Sequence, residues 1–468
     1  MSLPTTCPAL ALPPEITAEI FLRCVPDSRG PYLFDQPYMY TYDRTIELAV
    51  GYRPWNRGDI WLRPPPQLTL IKVCRLWRYI ALGTPALWAE LQLTDDCPAE
   101  AAVWLARAGD CPLTISICTA ASLDDAPVLN IFQRHASKMR AVDLELSTDA
   151  FERMTETGPW SFPMLRTLSL WRYDADYTEL PVVPIAVIAP LLREVSMCQW
   201  RPGKEVIGIP WYHLTDLTAS HYSIDDCLSV LQGTPNLVQC RLSVFSRRRR
   251  RTGAHTTVVA LPHLRALTIF KNVGNEGDEA GSADILDFLA LPALHTLQIF
   301  DDKKNANVLN VLLARSAPPL HTLVLHQQNV WAGLQYVGTE LAVSALAMLP
   351  TLTRLEIWRP TRQFATALLE DVFAQGRDRV LLPHLRTLAI LGCRRLSEVG
   401  RSVAEQEGYE FWADEREWKP WAEGFGGDVA VGEVLLKFKS LAGDALEVVV
   451  ENKRRVRDGP DRPDKSKY

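Results

Sequence analysis

Ten cysteines and nine histidines are the side chains best able to ligate a metal, form a disulfide or act as a nucleophile. Their spacing favours none of these. Cys7, Cys24, Cys74, Cys97, Cys111, Cys118, Cys198, Cys227, Cys240 and Cys393 stand singly, with no Cys-x-x-Cys pair and no Cys/His cluster at zinc spacing. Reduced thiols of a cytosolic or nuclear protein fit that scatter. His263 and His384 share one position of a recurring motif and His295 and His321 another, so they read as repeat residues, with His295 and His321 near neighbours if the repeats stack. No Gly-x-Ser-x-Gly, Walker A, His-Glu-x-x-His or Gly-rich phosphate loop occurs, and nothing assembles a nucleophile with a base. The chain therefore reads as non-enzymatic and cofactor-free, a hydrolase being the remote alternative. Two basic runs remain, Arg247 to Arg251 and Lys-Arg-Arg-Val-Arg from Lys453. Each is either a nuclear localisation signal or anion patch, or a solvated loop and tail.

The whole chain bounds these readings. At 468 residues, 47% hydrophobic and 22% charged, it is too apolar to be disordered. With 50 basic against 55 acidic residues it lacks the charge excess of a nucleic-acid binder. Proline is frequent (33) and glycine scarce (25) against usual shares of about 5% and 7%, which predicts many short, regularly punctuated elements. The longest apolar run, Leu180 to Leu192, carries three prolines and falls short of the roughly 18 residues of a membrane span. The opening MSLPTTCPALALPPEI has no basic stretch ahead of an apolar one, so no secretory signal is expected. The expected location is cytoplasmic, nuclear or both, with no membrane and no nucleic acid as partner.

Two amphipathic segments open the chain. In LPPEITAEIFL, Pro13 and Pro14 suit a first helical turn, Glu15 its positive end, and Ile16, Ile20 and Phe21 share a face. In LTLIKVCRLWRYIAL, Leu70, Val73, Cys74 and Trp77 fall at i, i+3, i+4 and i+7, predicting one helix over 68–82 that Gly83 can cap and Pro85 ends. Residues 27–66, between them, lack periodicity and read as a long loop.

The ordered series LPPEI, EIF, VCRLWRYIAL and TPALWAEL, over residues 12–26 and 67–93, resembles the F-box family in the form common in fungal members. The insert of about forty residues between the helices departs from that pattern. The resemblance implies docking onto a Skp-family adaptor and, through it, a cullin. It also implies that Leu12, Pro13, Ile16, Ile20, Phe21, Leu70, Val73 and Trp77 divide between a small internal core and the adaptor-binding surface.

From residue 137 a Pro-x-Leu-x-x-Leu-x-aliphatic pattern recurs. It reads PMLRTLSL at 163, PLLREVSM at 190, PNLVQCRL at 235, PHLRALTI at 262, PALHTLQI at 292, PPLHTLVL at 318, PTLTRLEI at 350 and PHLRTLAI at 383, with looser copies at 137 and 212. Intervals of 22 to 33 residues between lead positions are those of leucine-rich repeats, each supplying one strand to a parallel sheet. Helix-compatible stretches such as SIDDCLSVLQGTP and NVLNVLLARSAPP precede several strands and end near the proline. The copies lack the usual Asn or Cys after the strand and vary in length, so an irregular arc is expected.

Counted from the lead leucine of Leu-x-x-Leu-x-aliphatic, period-2 alternation turns positions 1, 4 and 6 to the core and positions 3, 5 and 7 to the open, concave side. Position 7 supplies Trp171, Phe270, Phe300, His326 and Trp358 as candidate substrate-binding residues. The alternative is that these side chains pack locally over the strand ends.

The expected fold is α/β: a leucine-rich-repeat solenoid, a curved parallel sheet with helices on its convex side, preceded by a small all-α F-box module. The expected organisation is an F-box-like helical module at 10–93 with an insert at 27–66, a connecting segment at 94–136, and irregular repeats at 137–395. A C-terminal cap at 396–452, where a helix and strand are expected in EVLLKFKSLAGDALEVVV, and a disordered basic tail at 453–468 complete it. The function this implies is the substrate-receptor subunit of an F-box cullin-RING ubiquitin ligase, the repeats holding a protein substrate. The alternative is an interaction scaffold that uses the same surfaces without ubiquitination.

Overall fold

The computed structural model of the chain describes residues 12–25, 66–93, 98–118, 133–156, 160–172, 185–198, 200, 206–244, 258–271, 282–301, 305–327, 345–358, 382–391 and 447–451. The insert at 27–65, Arg247 to Arg251, most of the expected cap and the basic tail lie outside them. The chain divides into two compact units, Met1–Leu294 with Val311–Pro318, and His295–Asn310 with Pro319–Tyr468.

Helix α1 (Pro14–Cys24) starts as its prolines require: Pro13 is the N-cap, Pro14 sits where no N–H is needed, and the Pro13 carbonyl accepts from both the N–H and the hydroxyl of Thr17. The expected single helix over 68–82 is broken in two, α2 (Pro66–Val73) and α3 (Arg75–Leu82). Cys74 between them is fully extended (φ −157°, ψ 173°). Its Sγ accepts the Trp77 N–H at 3.4 Å, and Arg78 Nε donates back to the Ile71 carbonyl at 2.8 Å. A thiol is an uncommon N-cap, so nothing in the residue types marks the break. Gly83 does end α3, at φ −83° and so without the left-handed geometry a capping glycine usually adopts.

A 3-10 turn at Pro85–Trp88 leads from these helices directly into the sheet. Trp88 is fully buried, with Nε1 donating to the Ala81 carbonyl at 2.9 Å. Its ring meets Trp104 edge-on at 4.7 Å and carries the Arg107 guanidinium 4.5 Å from its centroid. Trp104 and Arg107 belong to α4 (Pro98–Ala108), and α5 (Thr148–Glu156), α6 (Ile224–Gly233) and α7 (Asn305–Ser316) follow along the chain.

The strands in chain order are β1 (Glu90–Leu93), β2 (Leu113–Cys118), β3 (Met139–Leu146), β4 (Trp160–Ser161), β5 (Thr167–Arg172), β6 (Ile185–Ile188), β7 (Glu194–Cys198), β8 (Val206–Ile207), β9 (Asp216–Tyr222), β10 (Gln239–Val244), β11 (Val259–Ala260), β12 (Ala266–Lys271), β13 (Leu289–Ala290), β14 (Thr296–Asp301), β15 (Thr322–Gln327), β16 (Arg354–Trp358), β17 (Thr387–Leu391) and β18 (Glu447–Glu451). In the first unit β1, β2, β3, β5, β7, β9, β10 and β12 pair in that order, every pair parallel. In the second, β14 to β18 pair consecutively and in parallel. The sheet thus begins at Glu90, and the segment read as a connector at 94–136 carries α4 and β2. In the second unit, Glu447–Glu451 of the expected cap is a further parallel strand beside β17.

The repeat proline has a more specific role than stopping a helix. Pro163, Pro190, Pro235, Pro262, Pro292, Pro350 and Pro383 each take the second place of a four-residue turn. The lead leucine closes it onto the residue before the proline, as from Leu165 to Phe162 at 3.2 Å and from Leu352 to Leu349 at 3.1 Å. Proline's fixed φ suits that place, where no N–H is required. The lead carbonyl region then ties one repeat to the next: the Arg193 carbonyl accepts both Thr215 and Asp216 N–H groups, and the Thr353 carbonyl both Arg386 and Thr387.

Where the connections between strands are described, the chain returns by a helix, a 3-10 turn or a short strand. α6 is capped by Ser223, whose Oγ accepts the Asp226 N–H. Small parallel ladders, β4–β6–β8 and β11–β13, lie in other connections, and the helix-compatible SADILDFLALP is a 3-10 helix at Ser282–Phe288 that runs into β13. The ladders' β-branched residues, Val187, Ile188, Val206, Ile207 and Val259, favour extended backbone. In-register stacking then builds the core: Leu168, Val195, Leu217, Cys240 and Leu267 form one buried row, and Leu170, Met197, Ala219, Leu242 and Ile269 another. Each fully buried leucine contributes about 1.5–3 kcal/mol, and no single repeat could bury one alone.

Candidate functional site

α1 presents an inward and an outward face. Thr17 and Phe21 turn inward, and Phe21, 1% exposed, meets Trp77 of α3 edge to face with ring centroids 5.0 Å apart. Leu12, Ile16 and Ile20, four residues apart, form the outward stripe, with Ile16 51% exposed. Pro13 is exposed beside them. The α2–α3 corner adds Val73 at 55% exposed, then Leu76, Tyr79 and Leu82 at steps of three, Tyr79 being 77% exposed. Large apolar side chains concentrated on one small helical unit mark an interaction surface rather than a core.

The residues expected to divide between core and surface are thereby sorted. Leu12, Pro13, Ile16, Ile20 and Val73 are on the surface. Phe21 and Leu70 are withdrawn as contact residues, because their side chains are spent on packing within the unit. Trp77 is half-buried against Phe21, and its indole N–H has no hydrogen-bond partner among the described residues. Sequence reasoning missed Leu76, Tyr79 and Leu82. The signal was present in RLWRYIAL, which is apolar on more than one helical face, more than a helix packed on one side needs.

Basic side chains rim this surface. Lys72, Arg75 and Arg78 are exposed on α2 and α3, whereas on α1 Arg23 is held by Glu19 at 2.9 Å.

The second candidate surface, the non-core face of the repeat strands, is only partly open in the first unit: Ser196, Thr218, Arg241 and Thr268 on it are half-buried. Asp143, Glu145, Ser169, Cys198, Ser220 and Ser243 lie on it and are all buried. Part of the reason is visible at Trp171, which is half-buried and folds back on its own strand, Nε1 donating to Ser169 Oγ at 2.9 Å. Serine and cysteine also reach little beyond a backbone flanked by strands about 4.8 Å away. Trp171 therefore caps Ser169 rather than standing free. Phe270, Phe300, His326 and Trp358 fall on β12, β14, β15 and β16 at equivalent register positions, and their side chains lie outside the described residues.

The electrostatics of that face are those of an interior. Ser116 donates to Asp143 Oδ2 at 3.1 Å. Burial, reinforced by the Glu145 carboxylate, holds the Cys198 thiol far above the ordinary thiol range. Burial likewise raises Cys227, and raises Cys240 to about 12. These thiols stay protonated at neutral pH and are poor nucleophiles. Among the described residues no group of three or more His, Cys, Asp or Glu side chains is placed to hold a metal ion, and no helix is long and apolar enough to cross a membrane. His295 and His321 do stack, with rings 5.2 Å apart and 9° from parallel, as their shared repeat position predicts.

No family model matches the chain, and no curated protein matches its sequence.

Proposed function

We propose that the chain is a recruiting subunit of an F-box cullin-RING ubiquitin ligase, its N-terminal helices docking a Skp-family adaptor and its repeats holding a protein substrate. The observation that carries the reading is the split of α1 into an interior face at Thr17 and Phe21 and an outward face at Ile16 and Ile20, which with Leu12 just before the helix makes an exposed apolar stripe. A lone folded unit gains nothing from exposing such a stripe, whereas a partner helix laid on it would bury all three side chains at once. The role would be positional: no residue acts on the substrate chemically, and the gain comes from raising its effective concentration near the conjugating enzyme. The parallel, in-register strands support the repeat half of the reading, since Thr218, Arg241 and Thr268, half-buried on the non-core face, lie side by side on β9, β10 and β12.

Co-purification tests this. Recovery of the adaptor together with a cullin, and accumulation of a bound protein when the proteasome is inhibited, is the expected result. Adaptor without cullin would favour a scaffold that uses the same surfaces without ubiquitination. Absence of the adaptor would remove both readings.

A further inference from the structure

Three arginines stand side by side at the entrance to the first unit's sheet. Arg140, Arg166 and Arg193 follow the lead residues Met139, Leu165 and Leu192 of successive repeats, and their backbones are bonded in series: Arg166 N–H donates to the Arg140 carbonyl at 2.8 Å, and Arg193 N–H to the Arg166 carbonyl at 2.9 Å. All three side chains are exposed. Neighbouring parallel strands are about 4.8 Å apart, so the three span about 10 Å.

Folding does not call for this arrangement. Like charges facing each other on adjacent strands are destabilising. The same repeat position holds Thr215, Val238, Arg265, His295, His321, Thr353 and Arg386 elsewhere, so the turn accepts small, apolar, aromatic and basic residues alike, and only Arg140, Arg166 and Arg193 fall on three consecutive strands. Carboxylates are close in sequence yet engaged otherwise: Asp110 with Lys138 at 2.6 Å, Glu194 with the Thr167 hydroxyl at 3.0 Å, and Asp216 with the Thr215 hydroxyl at 2.7 Å. Arg140 and Arg166 make no side-chain hydrogen bond or ion pair among the described residues. Arg193 is steadied through Nη1 on the His213 carbonyl at 3.2 Å and its neighbouring Leu192 carbonyl at 3.3 Å, leaving its other N–H groups outward.

A local irregularity adds to the case. β3 pairs Met139 with Leu113 and Ala141 with Thr114, so Arg140 is the extra residue of a β-bulge. Bulges re-aim the side chain they carry, and this one carries the first arginine of the row.

We propose that Arg140, Arg166 and Arg193 form a binding site for an oligoanion bearing two or more phosphate groups. The guanidinium fork matches phosphate oxygens in pairs, and a row about 10 Å long engages several such groups where a lone carboxylate would meet only one. The phosphates come either from a free small polyphosphate or from a multiply phosphorylated protein segment. This site is independent of the adaptor-docking helices, so it stands or falls apart from that reading.

The test is calorimetric titration of the full chain with inositol hexakisphosphate, with a peptide carrying two adjacent phosphoserines, and with the same peptide unphosphorylated. Arg140→Gln/Arg166→Gln should weaken binding of at least one phosphorylated probe by about tenfold or more, with a melting temperature that does not fall. Arg265→Gln/Arg386→Gln removes the same charge from the same repeat position elsewhere, and should change affinity less than about twofold. The tighter of the two phosphorylated probes identifies the source. Arg166→Gln alone should give an intermediate loss, which keeps the result readable if the double variant folds poorly. Failure of both phosphorylated probes to bind, equal binding of the unphosphorylated peptide, or equal losses in the two double variants would overturn the proposal.

Discussion

Phe21 and Trp77 meet edge to face at 5.0 Å, and this contact determines which way α1 faces. With Phe21 committed to the interior, helical geometry turns Ile16 and Ile20 outward, next to the exposed Leu12 that precedes the helix. Phe21→Ala should therefore cost about 3–5 kcal/mol, as for other buried aromatics. Ile16→Asp/Ile20→Asp should cost about 1 kcal/mol or less, as exposed helical substitutions do. Denaturant unfolding of the full chain, followed by tryptophan fluorescence, separates the two. Equal losses would mean the stripe is part of a core.

The buried face of the first sheet offers a second check. Ser220 and Ser243 sit in register on β9 and β10, and neither hydroxyl has a hydrogen-bond partner among the described residues. Removing an unsatisfied buried polar group relieves its desolvation penalty, so Ser220→Ala and Ser243→Ala should each raise stability by about 1 kcal/mol. A loss of that size in the unfolding midpoint would show that the hydroxyls are satisfied.

Alkaline stability follows from the thiols. Cys240 is raised to about 12 in the fold, from 9.0, so folding favours its protonated form. That contribution is complete below pH 9 and is lost as pH rises toward 12, because only the unfolded chain releases the proton. Over that window Cys240→Ala should show a stability-versus-pH slope shallower by about 1.4 kcal/mol per unit than the parent chain. An unchanged slope would contradict the burial of this thiol.

Residue patterns made much of this fold readable. Leu168, Leu170 and their counterparts declare themselves by period-2 spacing, and burial on stacking is what such spacing is for. The prolines gave away the strand starts, since a fixed φ has few uses. Two features were hidden for physical reasons. The break at Cys74 depends on a sulfur accepting one N–H, and helical periodicity continues through it. The cover over Ser169 depends on a rotamer of Trp171 two residues along its own strand, and alternation gives only the face on which that indole begins. At the candidate site, spacing could collect Leu12, Ile16, Ile20 and Phe21 but not divide them, because the division rests on where α3 packs.

The most direct measurement of the central claim is the stoichiometry of the full chain with a purified Skp-family adaptor by size-exclusion chromatography with light scattering. A one-to-one complex that forms with the parent chain and with Ser220→Ala, and is lost in Ile16→Asp/Ile20→Asp, is the predicted result. No complex with the parent chain, or a complex that survives both aspartates, would contradict it.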